Sequence, residues 1–300
     1  MPKTARRRRL QITVPRFDFP KLVLAHGWVF LAPFEWDPQR QRLTRPLRLT
    51  AHRRVRASVS VIDDGDRSVV SVRLPAASPL TGPQRQKVRQ QVRRMLRLDE
   101  DFTGFHRLCA DDPDLRFVSR CRCGGLLRAP SAFEDLIKTI CTTNCDWRNT
   151  KAMCDALCTL ADGDFPTAKE LAAHSPRQLA RVAPVGYRAS TIVELARRSA
   201  EGQLDLEAWA EQGDFDRVRG ALGQVSGVGP YTVSHMCVLL GAYDTIPVDS
   251  EVTAYLRRTH FGGNPVPVDS IVRPYEQYGR YRFLAFKFRR MGQRLNYIDK

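Results

Sequence analysis

No run of about eighteen apolar residues occurs in the 300-residue chain, which excludes a membrane-spanning helix. No internal repeat of solenoid period is present, and no low-complexity stretch lies beyond the N-terminus. Cysteine disappears after Cys237, and the chain's eight cysteines follow no small-scaffold framework, which points to reduced thiols in a cytosolic compartment. Cys121 and Cys123 are too close for an ordinary zinc knuckle. Cys141, Cys145, Cys154 and Cys158 fall in i,i+4 pairs that suit helix packing better than metal. Acid is scarce at the front of the chain. Residues 1–100 hold 22 Lys+Arg against 8 Asp+Glu, so +14 of the total +16 sits there, and a one-sided excess of that size points to a polyanionic partner. The opening MPKTARRRRL is basic without an apolar core, which argues against secretion. Residues 1–12 read as a disordered arm suited to lie along phosphates.

What is present divides into strands, then helices. Between Phe17 and Leu74 short runs (Lys21–Ala25, Gly27–Leu31, Val55–Ile62, Ser68–Leu74) are β-branched or alternating, and Asp63-Asp64-Gly65-Asp66 is a hairpin turn signal. They predict an antiparallel sheet of about five strands. A basic amphipathic helix, Gln84–Leu98, follows with Val88, Val92, Met95 and Leu96 inward. Beyond it the chain is helical. Ser131-Ala-Phe-Glu134, Thr167-Ala-Lys-Glu170 and Ser175-Pro-Arg-Gln178 are capping boxes, and further helices are predicted over Ala189–Ser199, Leu206–Glu211, Phe215–Leu222, Pro230–Leu240, Ser250–Thr259 and Gly279–Leu295. The expectation is an α+β fold, with an antiparallel β domain over 13–110 and a helical region over 111–300 in two subdomains flanking a cleft.

The stretch that carries chemistry is Val225–Arg258. Gly227-Val228-Gly229-Pro230 reads as a tight hairpin between helices, with glycines free to take positive φ and Pro230 at the first helical position. Backbone N–H groups at such a turn converge on an anion. After the second helix, Ile246-Pro247-Val248-Asp249-Ser250 delivers one carboxylate at the start of another helix. An ordinary helix cap is the plain alternative for Asp249.

This hairpin, buried helix and Pro-Val-Asp, together with Leu98–Phe102, Phe133–Asn144, Phe165-Pro-Thr and Gly186-Tyr-Arg-Ala189 in that order, resemble the helix-hairpin-helix DNA glycosylases, in their 8-oxoguanine and 3-methyladenine branch. The β domain resembles half of a TATA-binding-protein sheet. The resemblance implies a base-excision repair enzyme that binds damaged double-stranded DNA as a monomer, in the cytoplasm or in a nucleus. It implies Asp249 as the catalytic acid, and Gly227, Val228, Gly229, Tyr231 and Thr232 as the phosphate-gripping hairpin. A monovalent cation (K+ or Na+) is implied at the carbonyls of Gly223, Val225 and Val228. Asn144, Tyr187 and Arg188 take the places that fill the gap left by a flipped base and meet its orphaned partner. Tyr231, His235, Trp147 and Phe286 are the candidate base pocket. The four-cysteine iron–sulfur cluster of some relatives has no ligands here. Tyr231 stands where strand-nicking members carry a Schiff-base lysine, which predicts a monofunctional enzyme unless Lys138 or Lys151 substitutes. With His235 in place of a cysteine, the pocket departs from the 8-oxoguanine pattern, and alkylated purines, whose glycosidic bonds are already weakened, are the expected substrates. The alternatives are an 8-oxoguanine glycosylase without its lysine, a catalytically silent damage-binding protein, and an RNA- or tRNA-binding role for the β domain.

Overall fold

The computed structural model describes residues 9–75, 79–267 and 270–298, with the side chains of 295–298 outside the description. Most of the proposed N-terminal arm therefore lies outside the described residues. Its end does not: Arg9–Pro15 is the first strand, β1, with Leu10, Ile12 and Val14 buried in alternation. The apolar residues at every second position are what pull the chain into the sheet. The other strands are β2 (Glu35–Asp37), β3 (Arg42–Thr50), β4 (Arg53–Asp64) and β5 (Arg67–Arg73). The order is β1-β5-β4-β3-β2, antiparallel throughout.

Two runs expected as strands are helical. Phe19–Ala25 is α1, begun by Asp18, whose side chain accepts the Lys21 N–H, with Pro20 in the first turn. Gly27–Phe30 is a 3₁₀ turn. The cap and proline override the β-branched content of Leu22-Val23-Leu24. The remaining helices are α2 (Gly82–Met95), α3 (Thr103–Ala110), α4 (Arg116–Cys121), α5 (Ala132–Thr142), α6 (Trp147–Thr159), α7 (Ala168–Ala172) and α8 (Pro176–Val182). Then come α9 (Arg188–Ala200), α10 (Leu206–Glu211), α11 (Phe215–Gly223), α12 (Pro230–Leu240), α13 (Ser250–Thr259) and α14 (Arg282–Ile298). A 3₁₀ segment, Arg273–Tyr281, occupies the expected start of α14.

Two apolar cores result. One joins the inner face of the sheet to helices α5, α6, α9 and α11 and part of α12. The other joins α3 and α4 to α13 and α14. Phe105 of α3 packs on Tyr281 and Phe288, so a domain boundary at residue 110 misplaces α3, which belongs with the C-terminal lobe. Helix α12 contributes Met236, Cys237 and Leu239 to the first core and Val238 to the second, and is therefore the wall between them.

A charged cluster ties sheet to helices. Arg45, on the core face of β3, donates through both terminal nitrogens to Glu134 of α5, each at 2.9 Å, and Lys138 reaches the same carboxylate at 2.7 Å. The Lys138 ammonium also lies over Phe34 and Phe165. It is thus committed to the core, which removes it as a substitute nucleophile; Lys151 is exposed on α6. Burial alone would raise the Glu134 pKa, but the neighbouring Arg45 and Lys138 charges win and hold it at about 2. A depressed carboxylate stabilises the fold above its unfolded pKa, near 4.5, and loses that contribution as pH falls toward 2. From this group alone ~3 kcal/mol should vanish across that window. Denaturant titrations at pH 5, 4, 3 and 2 should show the decline, and Glu134→Gln should flatten it while costing stability at neutral pH. An identical decline in the Gln variant would contradict the assignment.

Candidate active site

The hairpin forms as its residues dictate. Gly227 sits at φ +82°, and a Cβ there would lie 2.2 Å from the Thr191 hydroxyl of α9, which itself donates to the Ser226 carbonyl at 2.9 Å. Gly229 needs no such freedom: it caps α12 with φ −96° and has no side chain to occupy the first N–H groups. The open amides of Tyr231 and Thr232 remain for an anion. The Thr232 side chain is turned inward and buried, so only its backbone is available there. Among the three carbonyls expected at a cation, that of Val225 accepts the Val228 N–H at 3.1 Å. Gly227→Ala combines a left-handed φ with a clash against α9. It should lower stability by ~2 kcal/mol or more and weaken DNA binding, measured by a melt and a fluorescence titration; a neutral outcome would show that the hairpin tolerates a Cβ.

Asp249 begins α13. It is exposed, and one carboxylate oxygen accepts the Val252 N–H at 2.7 Å, so the plain capping role is real. Among the described residues no second group donates to that carboxylate, and its other oxygen is left for chemistry. Its charge is felt by Tyr231 on α12 and by Lys287 and Arg290 on α14, which places it on the seam between the two cores.

Tyr231 and His235 come together as expected: Nδ1 of His235 is 2.9 Å from the tyrosine hydroxyl. Burial pushes the phenol up to about 12 and the imidazole down to about 3. Beyond them stands a residue that the sequence did not single out, His26. Its Nε2 is 3.1 Å from Nε2 of His235, and its Nδ1 is 3.2 Å from the Leu127 carbonyl. Trp28 stacks on His235 with the ring planes at 18° and donates from its indole to Asp135 at 2.8 Å. The misread segment after α1 thus delivers two side chains to the helical half of the site.

Trp147 is partly exposed at the start of α6 and lies over the backbone of Gly27, next to His26. Phe286 does not join the pocket. It is 2% exposed and packs edge-on against Tyr255 and Tyr275 in the C-terminal core. The next residue on α14, rotated by about 100°, faces the seam instead. Lys287 is half-buried, and burial, then the Arg290 and Arg294 charges, bring its pKa down to about 8, against the pull of Asp249.

The three gap-filling candidates also meet. Asn144, held at φ +47°, donates to the Tyr187 hydroxyl at 3.4 Å, and Tyr187 is 67% exposed. Arg188 lies beneath the tyrosine ring, is buried, and donates to the carbonyl and hydroxyl of Thr143. It therefore fixes the Asn144 turn and the Tyr187 ring from below. A cavity of ≈ 1260 Å³ lies at the other end of α12, beside Leu240 to Asp244, and touches none of these residues.

No protein-family model matches the chain. Solved structures do. The 3-methyladenine DNA glycosylase from Archaeoglobus fulgidus superposes with a TM-score of 0.71 at 16% identity, over 95% of this chain and 98% of that one. The Clostridium acetobutylicum 8-oxoguanine glycosylase/lyase, bound to double-stranded DNA with cytosine opposite 8-oxoguanine, gives 0.67 at 17% identity over 95% and 96%. The chain has the helix-hairpin-helix DNA glycosylase fold. In sequence it is similar to an N-glycosylase/DNA lyase of Saccharomyces cerevisiae, 29% identical over 168 residues. That match spans 49% of this chain and just under half, 45%, of the yeast protein. The α+β architecture expected from the sequence is the observed one, an N-terminal antiparallel sheet followed by helices.

Proposed function

We propose that this helix-hairpin-helix protein is a DNA N-glycosylase of base-excision repair that hydrolyses the bond between a damaged purine and its sugar, with alkylated purines of the 3-methyladenine and 7-methylguanine type as its first substrates. The observation that carries the reading is Asp249, a carboxylate with one free oxygen on the seam between the lobes, one helix beyond a hairpin whose amides are open. As the base leaves with the bonding electrons, positive charge grows on the sugar, and a fixed carboxylate beside it lowers the barrier. The alkylated base, cationic before cleavage, leaves neutral with the bonding electrons; water then adds through its oxygen at C1′ and passes its proton to the free Asp249 oxygen, which releases it to solvent. The open amides of α12 suit a backbone phosphate, while Asn144 and the exposed Tyr187 suit the space vacated by an everted nucleotide. The basic front of the chain supplies the long-range attraction. Similarity to both 3-methyladenine and 8-oxoguanine enzymes supports the reaction class; the aromatic Tyr231–His235 pair at the seam supports the alkylpurine preference. Release assays on duplexes carrying a panel of modified bases, with alkali to reveal abasic sites, test it: free base and alkali-labile sites from 7-methylguanine are expected, and no release from any lesion would refute it.

A second reading, a glycosylase that also nicks the strand, is favoured by Lys287. An amine with a pKa near 8 that senses Asp249 has the properties of a Schiff-base nucleophile. Borohydride decides between them. The monofunctional reading expects no covalent protein–DNA adduct; an adduct that disappears in Lys287→Met would establish the lyase and name its amine.

A further inference from the structure

The chain of groups from the Leu127 carbonyl to the Tyr231 hydroxyl has a direction that can be worked out atom by atom. A carbonyl oxygen only accepts, so the 3.2 Å contact requires the hydrogen of His26 to sit on Nδ1. Both imidazoles are held neutral. Burial disfavours the cation at His26 and brings His235 down to about 3, and the Lys287 ammonium opposes a charge on either ring, as Arg97 does at His26. Each ring therefore carries one hydrogen. With its hydrogen on Nδ1, His26 has only a lone pair at Nε2, so across the 3.1 Å contact His235 must donate from its own Nε2. His235 is then a lone pair at Nδ1. The tyrosine 2.9 Å away must donate to it, which uses the single hydrogen that a phenol has. The Thr142 hydroxyl also lies within reach of the phenol oxygen, but its one hydrogen goes to the Thr139 carbonyl at 2.7 Å, so what Tyr231 turns toward the seam is an oxygen without a hydrogen of its own. The charge it senses there is that of Asp249, exposed and at an ordinary helix cap, which as a carboxylate is also an acceptor only.

We infer that the His26–His235–Tyr231 relay fixes Tyr231 as an obligatory hydrogen-bond acceptor, and so selects damaged purines that present an amino or ring N–H edge to it while rejecting bases with only lone pairs there. The inference rests on the glycosylase reading for its substrate but not for its geometry. Selection of this kind is strong because a buried acceptor facing a second acceptor is left unpaired, whereas a site that merely lacks a contact discriminates weakly. A second proton on His26, at Nε2, would leave its bond to the Leu127 carbonyl as it is, reverse the two bonds beyond it, and turn the tyrosine into a donor toward the seam. The buried environment keeps that state away from neutral pH.

Two measurements test it. Long-range ¹H–¹⁵N correlation spectra of the wild-type protein at pH 7 should show His26 as the Nδ1–H tautomer and His235 as the Nε2–H tautomer. Either ring in the other tautomer, or doubly protonated, overturns the inference whatever the enzyme does. Single-turnover release from duplexes containing 7-methylguanine, which carries N–H donors, and 1,N6-ethenoadenine, which carries none, gives the functional side. Tyr231→Phe removes the oxygen, so the wild-type preference for 7-methylguanine should shrink at least tenfold in the variant; taking the variant against wild type cancels the different intrinsic labilities of the two bonds. An unchanged ratio would overturn the role assigned to the hydroxyl. Failure of the wild-type protein to release any base would sink the glycosylase reading and leave the tautomer result standing.

Discussion

Asp249→Asn should retain binding to damaged duplex within a few-fold and lose base release by ~10²–10³-fold or more, equivalent to about 3–4 kcal/mol of transition-state stabilisation. The substitution is chosen for what it preserves. Asparagine is as good a helix N-cap as aspartate, so the Val252 amide keeps its acceptor and α13 its start. What disappears is one negative charge, and only the oxocarbenium-like state is expected to need it. The loss should therefore fall on the single-turnover rate rather than on affinity. Unchanged release would remove Asp249 from the chemistry and leave it as a cap. Release lost together with binding would mean that the variant had failed in its structure, which a thermal melt would reveal.

The second large effect lies away from the chemistry. Arg97 is 2% exposed and holds a positive φ of 52° where α2 ends. Its guanidinium donates to the carbonyl of Leu126 at 2.9 Å, to those of Val238 and Leu239 at 3.3 and 2.8 Å, and to Glu100 and the Tyr243 hydroxyl at 2.6 and 2.7 Å. The Leu239 carbonyl is among those that a helix leaves unpaired at its C-terminal end, and that of Val238 also accepts the Gly241 N–H at 3.1 Å, so Arg97 completes a cap from another part of the chain. Arg128 adds one bond to Leu239 at 3.1 Å and cannot replace the rest. Arg97→Ala removes the side-chain donor to the Leu126 carbonyl, leaves Leu239 with Arg128 alone, and leaves Glu100 with less counter-charge. A loss of ~3–5 kcal/mol is expected, read as a fall in the urea midpoint. Because α12 carries Tyr231 and His235, that variant should also blur the pocket. A loss under about 1 kcal/mol would show that water takes over these carbonyls.

The legible parts of this molecule were those whose cause is local. Helices α10, α12 and α13 begin and end where caps, prolines and glycines placed them, because a cap acts within three or four residues. Strands β4 and β5 announced themselves by alternation and the Asp-Gly turn. The segment after Asp18 was misread because Leu22-Val23-Leu24 suits a strand as well as a buried helix, and a short apolar run carries no period that separates them. That error hid His26, whose partner His235 lies 209 residues away. No spacing rule reaches across such a distance. Phe286 illustrates a different limit. An aromatic residue on an apolar helix fits core and pocket equally from sequence, and the single-residue rotation that sends Phe286 inward and Lys287 to the seam is set by tertiary packing. The placement of Tyr231 and His235 one helical turn apart, and of Asp249 at the start of the next helix, follows from the hairpin, a local motif with its own glycine chemistry.

The central claim is that the Asp249 carboxylate faces a sugar carrying positive charge. The most direct test compares the affinity of the protein for two duplexes: one with a cationic pyrrolidine nucleotide at the abasic position, the other with the neutral tetrahydrofuran nucleotide of the same shape. A group built to stabilise the transition state binds its charged mimic preferentially. Wild-type protein should prefer the cation by ~10²-fold or more, with Asp249→Asn binding the two about equally. Equal binding by the wild type, or a preference that survives in the variant, would contradict the account.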